Sequence, residues 1–249
     1  MVVSPDHPRY KSLLIREKMS ELSDRGIVAR TGLIAHGRGE AFDYLIGEKT
    51  TPAAKNAEET IAAYLLEAKN PIITMNGNAS ALCAEELLGL ASDVGAKVEV
   101  NIFHWSEERL ETLITYLEGF GNFEILGRNQ DAVLENIASD RARCCRDGIY
   151  SADVVLIPLE DGDRAKALKI AGKTVLAIDL NPLSRTAIES DVTAVDEITR
   201  AVPNIRQAVK DLKDNQKRRK DLISSFSNKS NLNKSIECIK DNLSKQQIF

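Results

Sequence analysis

Residues 153–179, DVVLIPLEDGDRAKALKIAGKTVLAID, decide the fold. VVLIP and TVLAI are short apolar runs, the pattern of strands buried on both faces. The stretch between them, residues 161–171, reads as a helix. A strand, a helix and a second strand in that order imply a parallel β-α-β unit. The alternation repeats along the chain. Strands are predicted at 71–75 (PIITM), 97–103, 123–126 and 191–195, and helices at 51–68, 79–94, 106–119, 132–146 and 196–213. Thr51-Pro52 is a good helix entrance, Ser106 a good cap, and Gly95 a good stop. An apolar stripe through Tyr10, Leu13, Leu14, Met19 and Leu22 predicts a further helix over 8–25. The expected class is α/β: a Rossmann-like, doubly wound, mostly parallel sheet with helices on both faces and a helical N-terminal segment. Such sheets bind ligands beyond the carboxyl ends of their strands. Three polar turns fall there: Asn76-Gly77-Asn78, Glu160 to Arg164, and the Asn181-Pro182 turn after Asp179.

Size and charge narrow the function classes. A chain of 249 residues, 43% hydrophobic and 28% charged, can bury a full core without disulfides or metals. Its formal net charge of −4 argues against a nucleic-acid binder. From Lys217 onward there are eight Lys/Arg against three Asp/Glu, so a +5 tail follows a −9 body. Residues 1–215 are therefore expected to form one domain. Residues 216–249, rich in Lys, Asn and Ser, are expected to form an exposed appendage, helical or partly disordered. On that reading a chain cut after Lys213 keeps its activity. Cys83, Cys144, Cys145 and Cys238 form no CxxC pair, which suggests reduced thiols in the cytoplasm. No apolar run is long enough for a membrane span.

Four motifs carry candidate chemistry. The run His36-Gly37-Arg38-Gly39-Glu40 reads as a glycine-flexed turn ahead of a helix, where an arginine and free backbone N–H groups meet a phosphate or carboxylate. Asp179 stands where an acidic residue holds ribose hydroxyls in doubly wound folds, with Arg185 and Thr186 as phosphate donors, or the run is only an Asn-Pro turn with Ser/Thr capping. The carboxylates Glu160, Asp161 and Asp163 suit Mg²⁺, a substrate amine, or simply the first turn of a helix. Asn76 and Asn78 offer amides to a polar ligand, or only a turn. His7 and His104 stand alone. There is no GxxxxGK[ST] loop, and no GxGxxG follows the first strand.

Taken together, GLIAHGRGEAFDYLIGEKTT (32–51), the NGN turn (76–78), GIYSADVVLIPLEDGDR (148–164) and AIDLNPLSRTA (177–187) resemble the archaeal 4-phosphopantoate–β-alanine ligase, or phosphopantothenate synthetase, family. The likeness covers about residues 5 to 210. His104-Trp105 departs from the family's usual Tyr-Arg, and the tail has no counterpart in the pattern.

The resemblance implies a cytoplasmic homodimer of coenzyme A biosynthesis. Its implied reaction joins 4-phosphopantoate to β-alanine, with ATP and Mg²⁺, through an acyl adenylate that releases diphosphate and then AMP. It further implies ATP contacts at Arg16, Arg38, Asp179, Leu180, Asn181, Arg185, Thr186, Glu197 and Ile198. The phosphopantoate side is expected to draw on Asn76, Asn78, Glu160, Asp161, Asp163 and Arg164. His36 is the expected general base for the β-alanine amine, since an unperturbed imidazole titrates near neutrality. Glu40 or a carboxylate of the 160–163 run is the alternative. The metal ligands are not assignable from sequence. Two other readings fit the same motifs: a nucleotide- or coenzyme-sensing protein without turnover, and a ligase for unphosphorylated pantoate.

Overall fold

A computed structural model describes residues 4–7, 9–135 and 140–245. Three helices come first: α1 (Tyr10–Asp24), α2 (Arg30–Ile46) and α3 (Pro52–Glu67). The alternating part follows: β1 (Pro71–Met75), α4 (Gly77–Val94), β2 (Lys97–Val100), α5 (Glu107–Glu118) and β3 (Ile125–Leu126). Beyond an irregular segment with two-residue strands β4 (Ala132–Val133) and β5 (Arg143–Cys144), the alternation resumes. It runs through β6 (Val154–Pro158), α6 (Gly162–Ile170), β7 (Thr174–Ile178), α7 (Arg185–Glu189), β8 (Val192–Ala194) and α8 (Ile198–Leu212). The chain closes with α9 (Gln216–Ser225) and α10 (Asn228–Lys245).

Six strands form one sheet in the order β3-β2-β1-β6-β7-β8, and every pairing in it is parallel. Alternate residues serve opposite faces. Ile73, Met75, Leu156 and Leu176 join a large core with α3, α4, α5 and α8, whereas Ile72, Val155, Ile157 and Val175 pack against α6 and the irregular segment. The order reverses between β1 and β6. That reversal is the switch point where doubly wound sheets open a ligand crevice.

Several local expectations give way to packing. Residues 36–40 are not a turn: they lie inside α2, which runs unbroken to Gly47, whose φ of 96° ends it. Each interior glycine costs a helix about 1 kcal/mol. Tertiary ties offset that cost: Glu40 bonds Ser12 and Arg16 of α1, and the Asn242 amide of α10 caps the carbonyls of Leu45 and Ile46. Asn76-Gly77-Asn78 is likewise not a loop. Asn76 is the N-cap of α4 and accepts from the Ala79 N–H at 3.0 Å.

The helix expected over 132–146 is absent where the residues are described, and 136–139 lie outside them. Glu99, fully buried on β2, accepts from the N–H groups of Cys145 (2.9 Å) and Ile149 (2.7 Å). Those donors serve a carboxylate in place of a helix ladder. Its burial pushes the Glu99 carboxyl up to about 7.

The basic tail packs onto the body as two helices. Leu222 and Leu232 are buried, Arg219 pairs with Glu67 at 2.6 Å, and the Asn231 amide donates to the Thr193 carbonyl at 2.8 Å. Among the described residues no helix is long and apolar enough to cross a membrane. All four cysteines are free thiols.

Candidate active site

The switch point is built by two loops that hold each other. Asn76, after β1, donates from its amide to the carbonyls of Pro158 and Leu159, both at 3.0 Å, after β6. Leu159 takes a φ of 53°, unusual for a residue with a side chain, and its N–H is fixed on the Ile178 carbonyl at 3.0 Å. Gly162 then lets the start of α6 meet α7 closely, since a Cβ there would press on the Arg185–Thr186 backbone.

Two cavities open on either side of these loops. The first, about 430 Å³, lies beyond β6, β7 and β8. One wall is α2, contributing His36, Arg38, Gly39, Glu40 and Asp43, with 36, 39, 40 and 43 on one face by helical spacing. The other walls are Asp179, Leu180, Asn181 and Ser184 after β7, Arg185 and Thr186 at the start of α7, and Glu197 and Ile198 at the start of α8. The second cavity, about 410 Å³, lies beyond β1 and β2 and is lined by Thr31, Gly32, Asn76, Gly77, Phe103, His104, Arg109 and Arg141, among others. Ala35, Asn78, Leu159 and Asp161 border both. The two are therefore lobes of one crevice.

In the first lobe, Asp179 accepts from the Asn181 N–H at 2.9 Å and from the Ser184 hydroxyl at 2.5 Å. Burial raises its carboxyl above the usual range, against those two bonds and the nearby Arg38 charge. Arg38 is solvent-exposed and, among the described residues, has no ion pair of its own. Arg185 meets Asp163 at 3.0 Å with both side chains about three-quarters exposed (76% and 73%), a contact of little stabilising value. Glu197 caps α8 by accepting from the Thr199 N–H at 2.8 Å. Burial raises its carboxyl too.

His36 is part-buried, and its Nε2 is itself buried, with no hydrogen-bond partner among the described residues. Desolvation lowers its pKa below the ordinary 6.5, with Glu40 opposing and Arg16 assisting, so a neutral imidazole faces the cavity at pH 7. Glu40, by contrast, is committed to Arg16 at 3.0 Å and to the Ser12 hydroxyl at 2.9 Å. Arg16 is thus held on Glu40, and it does not line the first cavity.

The 160–164 run divides between structure and surface. Glu160 and Arg164 are buried and paired at 2.6 Å, and Arg141 adds a second guanidinium to the same carboxylate. Arg164 is 1% exposed and lines neither lobe, so here it supports the site from beneath. Asp161 is half exposed between the lobes, and Asp163 faces solvent. The Asn76 amide is fully occupied in the loop tie. Asn78 donates to the Gly32 carbonyl at 2.8 Å and borders both lobes.

Sequence reading missed Asp43, Arg109 and Arg141. Asp43 was legible from the spacing of 36, 39 and 43 once 30–46 is one helix. Arg141 lay inside the stretch misread as helical. The second lobe is rich in cations, and Arg141, 7% exposed, lies 3.4 Å from Asp161 with its guanidinium 5.8 Å from the Phe103 ring centroid.

The description phosphopantothenate/pantothenate synthetase belongs to the family model that matches residues 53–242. The chain belongs to that family. It is 47% identical over 242 residues to the 4-phosphopantoate–beta-alanine ligase of Methanosarcina mazei, covering 96% of this chain and 94% of that one. The ligase so named from Methanospirillum hungatei is 50% identical over 199 residues, 80% of this chain and 81% of its own. That of Thermococcus onnurineus is 42% identical over 245 residues, 98% and 94% of the two chains. Family likeness runs through α9 and most of α10, beyond the limit near residue 210 that the motifs alone suggest.

Proposed function

We propose that this chain is the AMP-forming ligase that joins 4-phosphopantoate to β-alanine, giving 4'-phosphopantothenate for coenzyme A. One observation carries the reading beyond family membership: two lobes of different chemistry share an edge at the switch point. ATP takes the lobe beyond β7 and β8, with Arg38 and Arg185 on its phosphates and the Asp179–Thr186 loop around its nucleoside. The phosphate of 4-phosphopantoate takes the cationic lobe, facing Arg109, Arg141 and the N-terminus of α4. The pantoate carboxylate then lies at the shared edge and attacks the α-phosphorus, releasing diphosphate. Next the β-alanine nitrogen attacks the acyl carbon, AMP leaves with the carboxyl oxygen, and the amine proton passes to the His36 imidazole. Catalysis of this kind rests on positioning and charge neutralisation more than on a covalent nucleophile.

Among the described residues no three metal-type ligands cluster. A Mg²⁺ arriving with ATP needs only one or two carboxylates besides phosphate oxygens and water, and Asp161, 53% exposed at the rim, fits that demand. The reading includes a homodimer and a cytoplasmic setting. Free, buried thiols at Cys83, Cys144 and Cys145 suit a reducing compartment.

The deciding experiment measures AMP release with ATP, 4-phosphopantoate and β-alanine, each omitted in turn. AMP that forms with unphosphorylated pantoate, or with no acid at all, rejects the proposal. Within the same assay Arg141→Gln is expected to raise KM for 4-phosphopantoate at least tenfold and to leave KM for ATP unchanged. His36→Ala with full turnover would remove the base assignment.

A further inference from the structure

Outside the lining of the first lobe, two buried carboxyl groups are neighbours. Glu58 of α3 and Asp196 of the β8–α8 connection are both 0% exposed. Asp196 is richly supplied with donors: the Thr50 hydroxyl at 2.5 Å, the Glu197 N–H at 2.8 Å, and the Arg200 guanidinium at 2.7 and 3.0 Å. Neither oxygen of Glu58 has a donor at full hydrogen-bond geometry among the described residues, though the Asn204 amide is near enough to favour its charged form weakly. Its polar neighbours are Asp196 and Asn204, and the Asn204 amide is directed at Thr50 Oγ1 at 3.2 Å. Lys55, on the same helix, is the cation whose charge acts on Glu58, and Arg200 faces it only across Asp196. Two buried carboxylates in contact, one of them without a well-formed donor bond, are not a stable arrangement. A proton between them removes both faults at once, and Glu58 is the group left to carry it. Burial, reinforced by Asp196, pushes its carboxyl up to about 9.

The chain of contacts does not stop at Asp196. Arg200 goes on to clasp Asp43 of α2 through two bonds, at 2.5 and 3.1 Å, and Asp43 lines the first lobe. Glu197, one residue from Asp196, lines the opposite wall.

We propose that Glu58 is a positioning residue for the nucleotide lobe: as a neutral acid it donates to Asp196, and Asp196 and Arg200 thereby lock α2 at a fixed distance from the start of α8. The proposal rests on the reading that this lobe takes ATP.

The test compares Glu58→Gln, which keeps a pH-independent donor, with Glu58→Leu, which keeps bulk and removes the donor. ATP and 4-phosphopantoate binding to each folded variant are measured by calorimetry. E58Q is expected to bind ATP within about twofold of wild type, and E58L about tenfold more weakly, with 4-phosphopantoate affinity unmoved in both. Equal ATP affinity in E58L and wild type overturns the proposal, as does an E58Q defect as large as that of E58L. An infrared difference spectrum, wild type minus E58Q at pH 7, should show a protonated-carboxyl C=O band. Its absence also overturns the proposal, whether or not E58L folds or ATP is the ligand.

Discussion

The glycines of α2 offer a sharp test of whether 36–40 is helix or turn. Gly37 faces open space, and a Cβ on Gly39 would meet Leu180 Cδ1 at 3.7 Å, an ordinary contact. Neither has a positive φ. Alanine at either position therefore removes the backbone entropy of a mid-helix glycine without a clash. The expected gain is about 0.5–1 kcal/mol each, or roughly 2–4 °C in Tm per kcal/mol for a chain of this length. Gly32 lies on the same helix but behaves oppositely, because a Cβ there collides with the Asn78 side chain, which donates to the Gly32 carbonyl at 2.8 Å. Gly32→Ala should cost about 1–3 kcal/mol. Thermal unfolding of G32A, G37A and G39A without ligand reads all three. Gly39 lines the first lobe, which the proposal gives to ATP, and Gly37 does not, so ATP affinity should fall in G39A alone. Destabilisation of both G37A and G39A by 1 kcal/mol or more (roughly the helix-propensity gain with its sign reversed) would refute the helical placement and restore the flexed turn.

Three further perturbations follow from the same geometry. Ending the chain after Lys213 exposes the Ile46–Leu180–Ala187–Val195 cluster that Leu232 covers, and strips the Asn228 and Asn242 bonds; the truncated chain should lose several kcal/mol of stability and much of its ATP affinity, and an unchanged melting curve would contradict this. Glu99 has its folded pKa raised to about 7 from 4.5, so the stability it contributes is present below pH 4.5 and is lost as pH rises through 7. Relative to Glu99→Gln, wild type should weaken by about 3 kcal/mol across that window, and parallel curves from denaturant titrations at pH 5 and 8 would count against it. Asp163→Asn frees Arg185 from an exposed pair worth about 0–1 kcal/mol; ATP affinity should hold or rise up to about fivefold, whereas a loss would mean that Asp163 itself serves the ligand.

The sheet was legible because its strands are buried on both faces and bounded by turn residues. PIITM, VVLIP and TVLAI need no partner to declare themselves. The first cavity was legible at Asp179, Asn181, Arg185 and Thr186 because they form a polar run at a strand end, with an arginine that no turn requires. What failed was local reading where distant residues decide. Two glycines in five residues read as a turn, but Ser12 and Arg16 of α1, through Glu40, and Asn242 of α10 hold α2 from separate elements. Residues 132–146 read as a helix, but Glu99 takes the N–H groups of Cys145 and Ile149, almost fifty positions later. The tail read as solvated because its charges are plentiful. Its few apolar residues, Leu222 and Leu232, are nonetheless the ones that reach the core.

The net charge gives little hint of an anion site because most arginines are committed elsewhere. Arg128, Arg164, Arg200, Arg206 and Arg219 are each paired with carboxylates at 2.5–2.6 Å, and Arg16 with Glu40 at 3.0 Å. Pairs of that kind fix helices to one another and leave little field for a ligand. At the crevice the balance differs. Glu160 is shared by Arg141 and Arg164, and the half-exposed Asp161 balances Arg141 at the rim of the second lobe, while Arg38 and Arg185 stand exposed over the first. A polyanion meeting the first lobe displaces only one weak exposed pair, Arg185–Asp163. On the proposed reading, an acidic protein holds several phosphates without a basic face, by leaving Arg38 and Arg185 weakly paired beside the place where the strand order reverses.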